Sequence, residues 1–129
     1  MKSNVLILFL AIVFVAPALA GASMITEKDF EVKTTRDLIN LCTASADDPK
    51  RAEAIHFCHG YLVGAFAYNQ AEYSGTDAKP MICLPNPNPS RNEAINMFVD
   101  WAKAHPQYMN EKPVETEFRF LTEKWPCKQ

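Results

Sequence analysis

The chain has 129 residues and a formal charge of −2, so it lacks the basic surplus that a nucleic-acid binder needs. Its four glycines cannot build a glycine-rich phosphate loop. At this length one domain is expected, with a small core that benefits from covalent staples.

Residues 1–20 read as a secretory signal peptide. Lys2 is the positive start, Val5 to Val15 is an unbroken apolar run, and Ala18-Leu19-Ala20 is a small-residue cleavage pattern. Cleavage after Ala22 fits as well. An exported protein follows from this reading. Without Lys2 its formal charge goes from −2 to −3. Residues 21–33 show no period and are expected to be a mobile lead-in. The single domain is expected over 34–129.

Thr34 or Thr35 can cap a short helix, with Asp37 favourable in its first turn. Leu38, Leu41 and Cys42 fall on one face of it. A polar turn over 43–48 follows. The stretch 49–73, PKRAEAIHFCHGYLVGAFAYNQAEY, has no proline after its opening residue. It is expected as one helix, with Asp48 as N-cap and Pro49 at the first helical position. Ile55, Cys58, Leu62, Ala65, Phe66 and Tyr73 line one side. Phe57, Tyr61 and Tyr68 line the other, with Gly64 among them. A helix apolar on both sides is expected to be central and packed all round. Gly60 and Gly64, four apart, suggest close approach of another helix. The apolar part is too short for a bilayer span, which needs about 20 residues.

Residues 74–89, SGTDAKPMICLPNPNP, are expected as an irregular loop, because four prolines and a glycine forbid regular structure. A loop this long in a small domain is a candidate functional segment. Ser90-Arg91-Asn92-Glu93 is a capping box. The helix after it should bury Ala94, Phe98 and Trp101, helped by Ile95 and Met97, and stop at His105-Pro106. Pro113 can open a last helix whose stripe is Val114, Phe118, Leu121 and Trp125. Glu115 and Glu117 are then outward and solvated. No segment alternates like a hairpin. The expected fold is all-α: a small disulfide-stapled bundle of four main helices around the central helix at about 49–73.

Cys42, Cys58, Cys83 and Cys127 all lie beyond the signal segment, and an even number in a small exported domain reads as disulfides. Three connectivities are open. Cys42–Cys58 with Cys83–Cys127 is favoured. It would clip the short helix to the central one and tie the loop to the C-terminus.

The chemistry of a catalyst is hard to find. Cys58 and His59 are adjacent on a helix and diverge by about 100°, so they cannot act as nucleophile and base. His56 and His59 could share a face, but only His105 is left to complete a zinc site, so no metal is expected. Asp47-Asp48 at a helix start is explained by capping. No catalytic residue and no cofactor are expected. A rigid, oxidised helical domain with a long polar loop is the build of a binding protein.

Several local patterns resemble one family. Cys58-His59-Gly60-Tyr61-Leu62-Val63-Gly64 resembles its C-x-G-Y-x-x-G helix, and Ile82-Cys83-Leu84-Pro85 its I-C-x-P segment. The opening Thr34 or Thr35, Leu38 and Cys42 fit as well, as do His105-Pro106 and Trp125-Pro126-Cys127. This is the Rap/Tai type of immunity proteins, helical periplasmic inhibitors of peptidoglycan amidases delivered by type VI secretion. The resemblance runs from about 34 to 127 and implies a non-enzyme that occludes an amidase. A homodimer is left open. The expected partner-binding residues are Tyr73, Asp77, Lys79 and Asn86 on and beside the loop. Tyr108, in the turn from Gln107 to Lys112, is the competing surface. A periplasmic stress chaperone or housekeeping binding protein on a similar scaffold is the alternative reading.

Overall fold

A computed structural model describes residues 23–75 and 77–128. Residues 1–20, expected as a signal peptide, lie outside the described residues. Four helices carry the fold: α1 (Thr35–Cys42), α2 (Arg51–Glu72), α3 (Arg91–Ala104) and α4 (Pro113–Lys124), with 3-10 turns at Asp29–Glu31 and Pro106–Tyr108. Among the described residues there is no strand, only an isolated bridge between Ile82 and Pro126. No described helix is long and apolar enough to cross a membrane.

The helix starts follow their local chemistry. Thr34 caps α1 by accepting from the Asp37 N–H, and the Asp37 carboxylate accepts from the Thr34 N–H. Ser90 and Glu93 form the same reciprocal box on α3. Pro113 takes the first position of α4, where its missing N–H costs nothing. The start of α2 differs from expectation. Its N-cap is Lys50, without a side-chain cap, and Pro49 precedes the helix. Asp48 still satisfies a free backbone donor there, accepting from the Lys50 N–H at 2.8 Å.

Asp48 also ties the described part of the segment before α1, expected as a mobile lead-in, to the core. Its carboxylate accepts from the Ile25 N–H at 2.7 Å. Ile25 is buried in the core and Phe30 packs edge-on against Phe57, with ring centroids 5.7 Å apart. Asp29 is buried as well. Burial pushes its carboxyl up, but bonds from Asn40 and Thr26 outweigh that and hold it below its ordinary value. These contacts join positions 11 and 23 residues apart, beyond the reach of any local period. Replacing Asp48 with alanine is expected to leave the Ile25 N–H without its buried acceptor and cost about 1–3 kcal/mol. Hydrogen exchange at that amide should then accelerate sharply.

The core is built where α1, α3 and α4 meet one side of α2. Leu38 and Leu41 of α1, Cys58 and Leu62 of α2, Phe98 and Ala102 of α3, and Phe120 of α4 are its buried centre. Thr35 and Thr116 are fully buried, and their hydroxyls satisfy each other at 2.7 Å. Cys42 is bonded to Cys58 and Cys83 to Cys127. The first bridge joins α1 to α2 within the core.

Packing expectations for α2, α3 and α4 are corrected. The central helix is not covered all round: Phe57 and Tyr68 are 38 % and 68 % exposed. A Cβ added at Gly60 or Gly64 would meet nothing within 4 Å, so none of the described helices approaches there. On α3, Ile95, Phe98, Val99 and Ala102 are the buried set, while Ala94 and Trp101 are only half-buried and Met97 is exposed. On α4 the buried face is Pro113, Thr116, Glu117, Phe120 and Leu121. Val114 is exposed and Phe118 half-buried, so the stripe is turned by about one residue from the expected one.

Candidate functional site

The segment from Ser74 to Pro89 is irregular but tethered. Cys83 donates its N–H to the Trp125 carbonyl at 2.9 Å, and Cys127 donates to the Met81 carbonyl at 3.1 Å. With the Cys83–Cys127 bond, these contacts clamp the middle of the loop to the end of α4. On the side of α2, the Ser74 hydroxyl donates to the Ala71 carbonyl at 2.8 Å. Most of the described side chains of the loop face solvent. Asp77, Lys79 and Asn86 are exposed, and Met81 is 49 % exposed. Among the described residues neither Asp77 nor Lys79 is held in a salt bridge. Their charges are therefore presented by the loop rather than consumed by it.

Two clefts flank this loop and share Phe66 and Leu84. The more polar one, about 320 Å³, lies between the end of α2 and the loop and is walled by Asn69, Gln70, Tyr73, Pro80, Ile82 and Asn88. Tyr73 is half-buried there. The other, about 190 Å³, opens between α2, α3 and α4 beneath Leu84 and Pro89. Its walls are apolar apart from Arg91 and Glu117.

Tyr73, Asp77, Lys79 and Asn86 thus belong to one end of the molecule. Tyr108 does not. It follows the C-terminus of α3, whereas the loop precedes its N-terminus, and 14 helical residues span about 21 Å. There Tyr108 stacks with Trp101 at 5.7 Å and with His105 at 5.9 Å. The Arg119 guanidinium lies 5.0 Å from its ring centroid and pairs with Glu111 at 3.1 Å. Tyr108 is committed to this aromatic stack, so the turn offers a second, separate surface.

The catalytic candidates are taken apart by the structure. Cys58 is fully buried in its disulfide and cannot be a thiolate nucleophile. Among the described residues no group of three or more His, Cys, Asp or Glu converges to hold a metal. His105 Nδ1 bonds the Trp101 carbonyl at 2.7 Å, and its ring stacks on Trp101 at 4.1 Å.

Glu117 is the residue that sequence reasoning misplaced. It is 3 % exposed, and its Oε2 is buried without a hydrogen-bond partner. Burial pushes its carboxyl up to about 8, so at neutral pH it holds its proton. Tyr61 of α2 is shifted up too, mainly by its own burial and further by the nearby Glu117. A signal was present: Pro113, Thr116, Glu117, Phe120 and Leu121 recur at three and four, as a buried face does. A glutamate and a threonine within the set hid it.

The profile of one protein family, the Rap1a immunity proteins, matches residues 34–127. No curated protein and no solved structure matches the chain at significance.

Proposed function

The chain belongs to the Rap1a immunity proteins, and from that premise we propose that it protects its cell by blocking a peptidoglycan amidase. On this reading the toxin arrives by type VI secretion and the protein meets it in the periplasm. Membership of an immunity family, over nearly all of the described chain, carries the proposal. Two intramolecular disulfides suit an oxidising compartment outside the cytoplasm.

Blocking a hydrolase requires no chemistry of the inhibitor's own. It requires a surface that fills the substrate groove and does not lose much entropy on docking. The 74–89 loop supports this role, because its middle is clamped while Asp77, Lys79 and Asn86 remain exposed. A type VI amidase titrated with the oxidised protein is expected to lose peptidoglycan cleavage stoichiometrically, with nanomolar affinity. Alanine at Asp77, Lys79 or Asn86 should weaken inhibition by about tenfold or more at a contact that matters. Thermal melting of these variants should not change, since the side chains are exposed. If every loop variant inhibits as well as the parent, the interface lies on another face.

A further inference from the structure

The 190 Å³ cleft between α2, α3 and α4 has a composition that its role in packing does not explain. Leu62, Phe66, Phe98, Phe120 and Trp125 make an apolar chamber, and one wall is a glutamate. The Glu117 side chain is removed from water, yet Oε2 bonds to nothing. Buried polar atoms are partnered as a rule, so an unpaired carboxyl on the wall marks a place that calls for a donor, reached once the side chain turns its now covered Oε2 toward the cleft. We propose that the cleft receives an aliphatic amine, as the side chain of a lysine presented by the toxin, its stem among the apolar walls and its nitrogen at Glu117.

The chemistry selects this occupant over the others. A purely apolar group would fill the chamber and leave Oε2 as unsatisfied as before. An anion would face a carboxyl without gaining a counter-charge at depth. A lysine has four methylenes to bury and three N–H donors at the tip. The volume is adequate, since a cavity of about 150 Å³ holds a benzene. Leu84 and Pro89 of the 74–89 loop line the cleft, so it adjoins the surface proposed to meet the toxin. The toxin as source of the lysine rests on that functional reading; the preference for an amine does not.

The proton on Glu117 gives the site a signature. An ammonium group must displace it, so binding and proton release are linked. The other charged wall residue is Arg91 of α3, whose side chain is exposed. Tyr61 of α2 is near enough to feel Glu117, and its own titration lies above the range concerned. The loop wall, Leu84 and Pro89, carries no charge.

The test is a titration of the oxidised protein with n-butylammonium chloride, following amide resonances of Leu62, Phe66 and Phe98. Saturable binding is expected to tighten by up to about tenfold per pH unit toward pH 8 and to level off above it. n-Butanol should bind without that slope, and Glu117→Gln should abolish the slope for the amine. Equal binding of amine and alcohol, absence of saturable binding, or a slope that survives in Glu117→Gln would overturn the site. The toxin arm is read separately. If the parent inhibits the amidase and Glu117→Gln inhibits equally well at every pH, the lysine is overturned while the immunity reading stands. A parent that fails to inhibit any amidase overturns both.

Discussion

Removal of the Cys42–Cys58 bond, by alanine at both positions, is expected to lower stability by at least about 3 kcal/mol. A closed loop of 16 residues accounts for that much on the chain-entropy model. Cys58 is fully buried among Leu38, Leu41 and Leu62, so shrinking it also leaves unfilled volume at the centre of the core. At about 4–8 °C per kcal/mol for a domain near this size, the melting temperature should drop by roughly 12 °C or more. The Cys83–Cys127 bond closes a longer loop, 44 residues, and the same arithmetic gives about 4 kcal/mol. Its real effect on global melting is expected to be smaller. The residues it clamps are largely exposed and attached by two backbone bonds, so they can open locally while the core holds. The two double variants should therefore separate. The first loses melting temperature and, below its new transition, still inhibits. The second melts closer to the parent and inhibits poorly, because its loop is no longer preorganised. Thermal scans paired with inhibition assays decide the matter, and a second variant that inhibits normally would remove the loop from the mechanism.

The contrast shows which physical signals a sequence carries. The starts of α1, α3 and α4 were legible because their signals are local, whereas the start of α2 was not. Thr34 with Asp37, Ser90 with Glu93, and Pro113 each act within one turn, and each sits where its chemistry places it. The all-helical class was legible for the same reason. What surrounds a helix was not. Phe57 and Tyr68 have the hydropathy of core residues and face solvent, since nothing in α2 itself says how many partners will arrive. Gly60 and Gly64 permit a close neighbour without supplying one. Residues 25–31 have no period, yet Asp48 and Asn40 hold them through bonds that exist only after the chain has folded back. The candidate site divides in the same way. An exposed polar loop could be read from four prolines, a glycine and few apolar residues. The Glu117 cleft could not, because a carboxylate on a helix is ordinarily solvated and its burial is a property of three helices together.

That burial leads to the second large effect, an inverted dependence of stability on pH. In the unfolded chain Glu117 loses its proton near the ordinary value of 4.5, whereas in the fold it keeps it to about 8. Between these values the folded state binds more protons than the unfolded one, so stability must fall as pH rises through that window and level off above it. The full difference corresponds to an upper bound of about 5 kcal/mol. Other shifted groups do not mask the trend. Asp29, Asp47, Glu31 and Glu93 are all held below their ordinary values, so their contributions are complete above about pH 5 and are lost on acidification below it. Tyr61 starts from 10.0 and is raised further, which places it beyond the alkaline end. Denaturant titrations are expected to show stability declining by roughly 2–4 kcal/mol from pH 5 to pH 8. Glu117→Gln should flatten the profile. Its amide also lacks a partner at that site, which costs about 1–3 kcal/mol, but that cost does not depend on pH. The variant should therefore be level with the parent or weaker at pH 5 and gain on it steadily toward pH 8. A parent profile that is flat or rising over this range would place Glu117 in contact with water or with a donor of its own, and the cleft would lose the unpaired carboxyl that makes it a receptor.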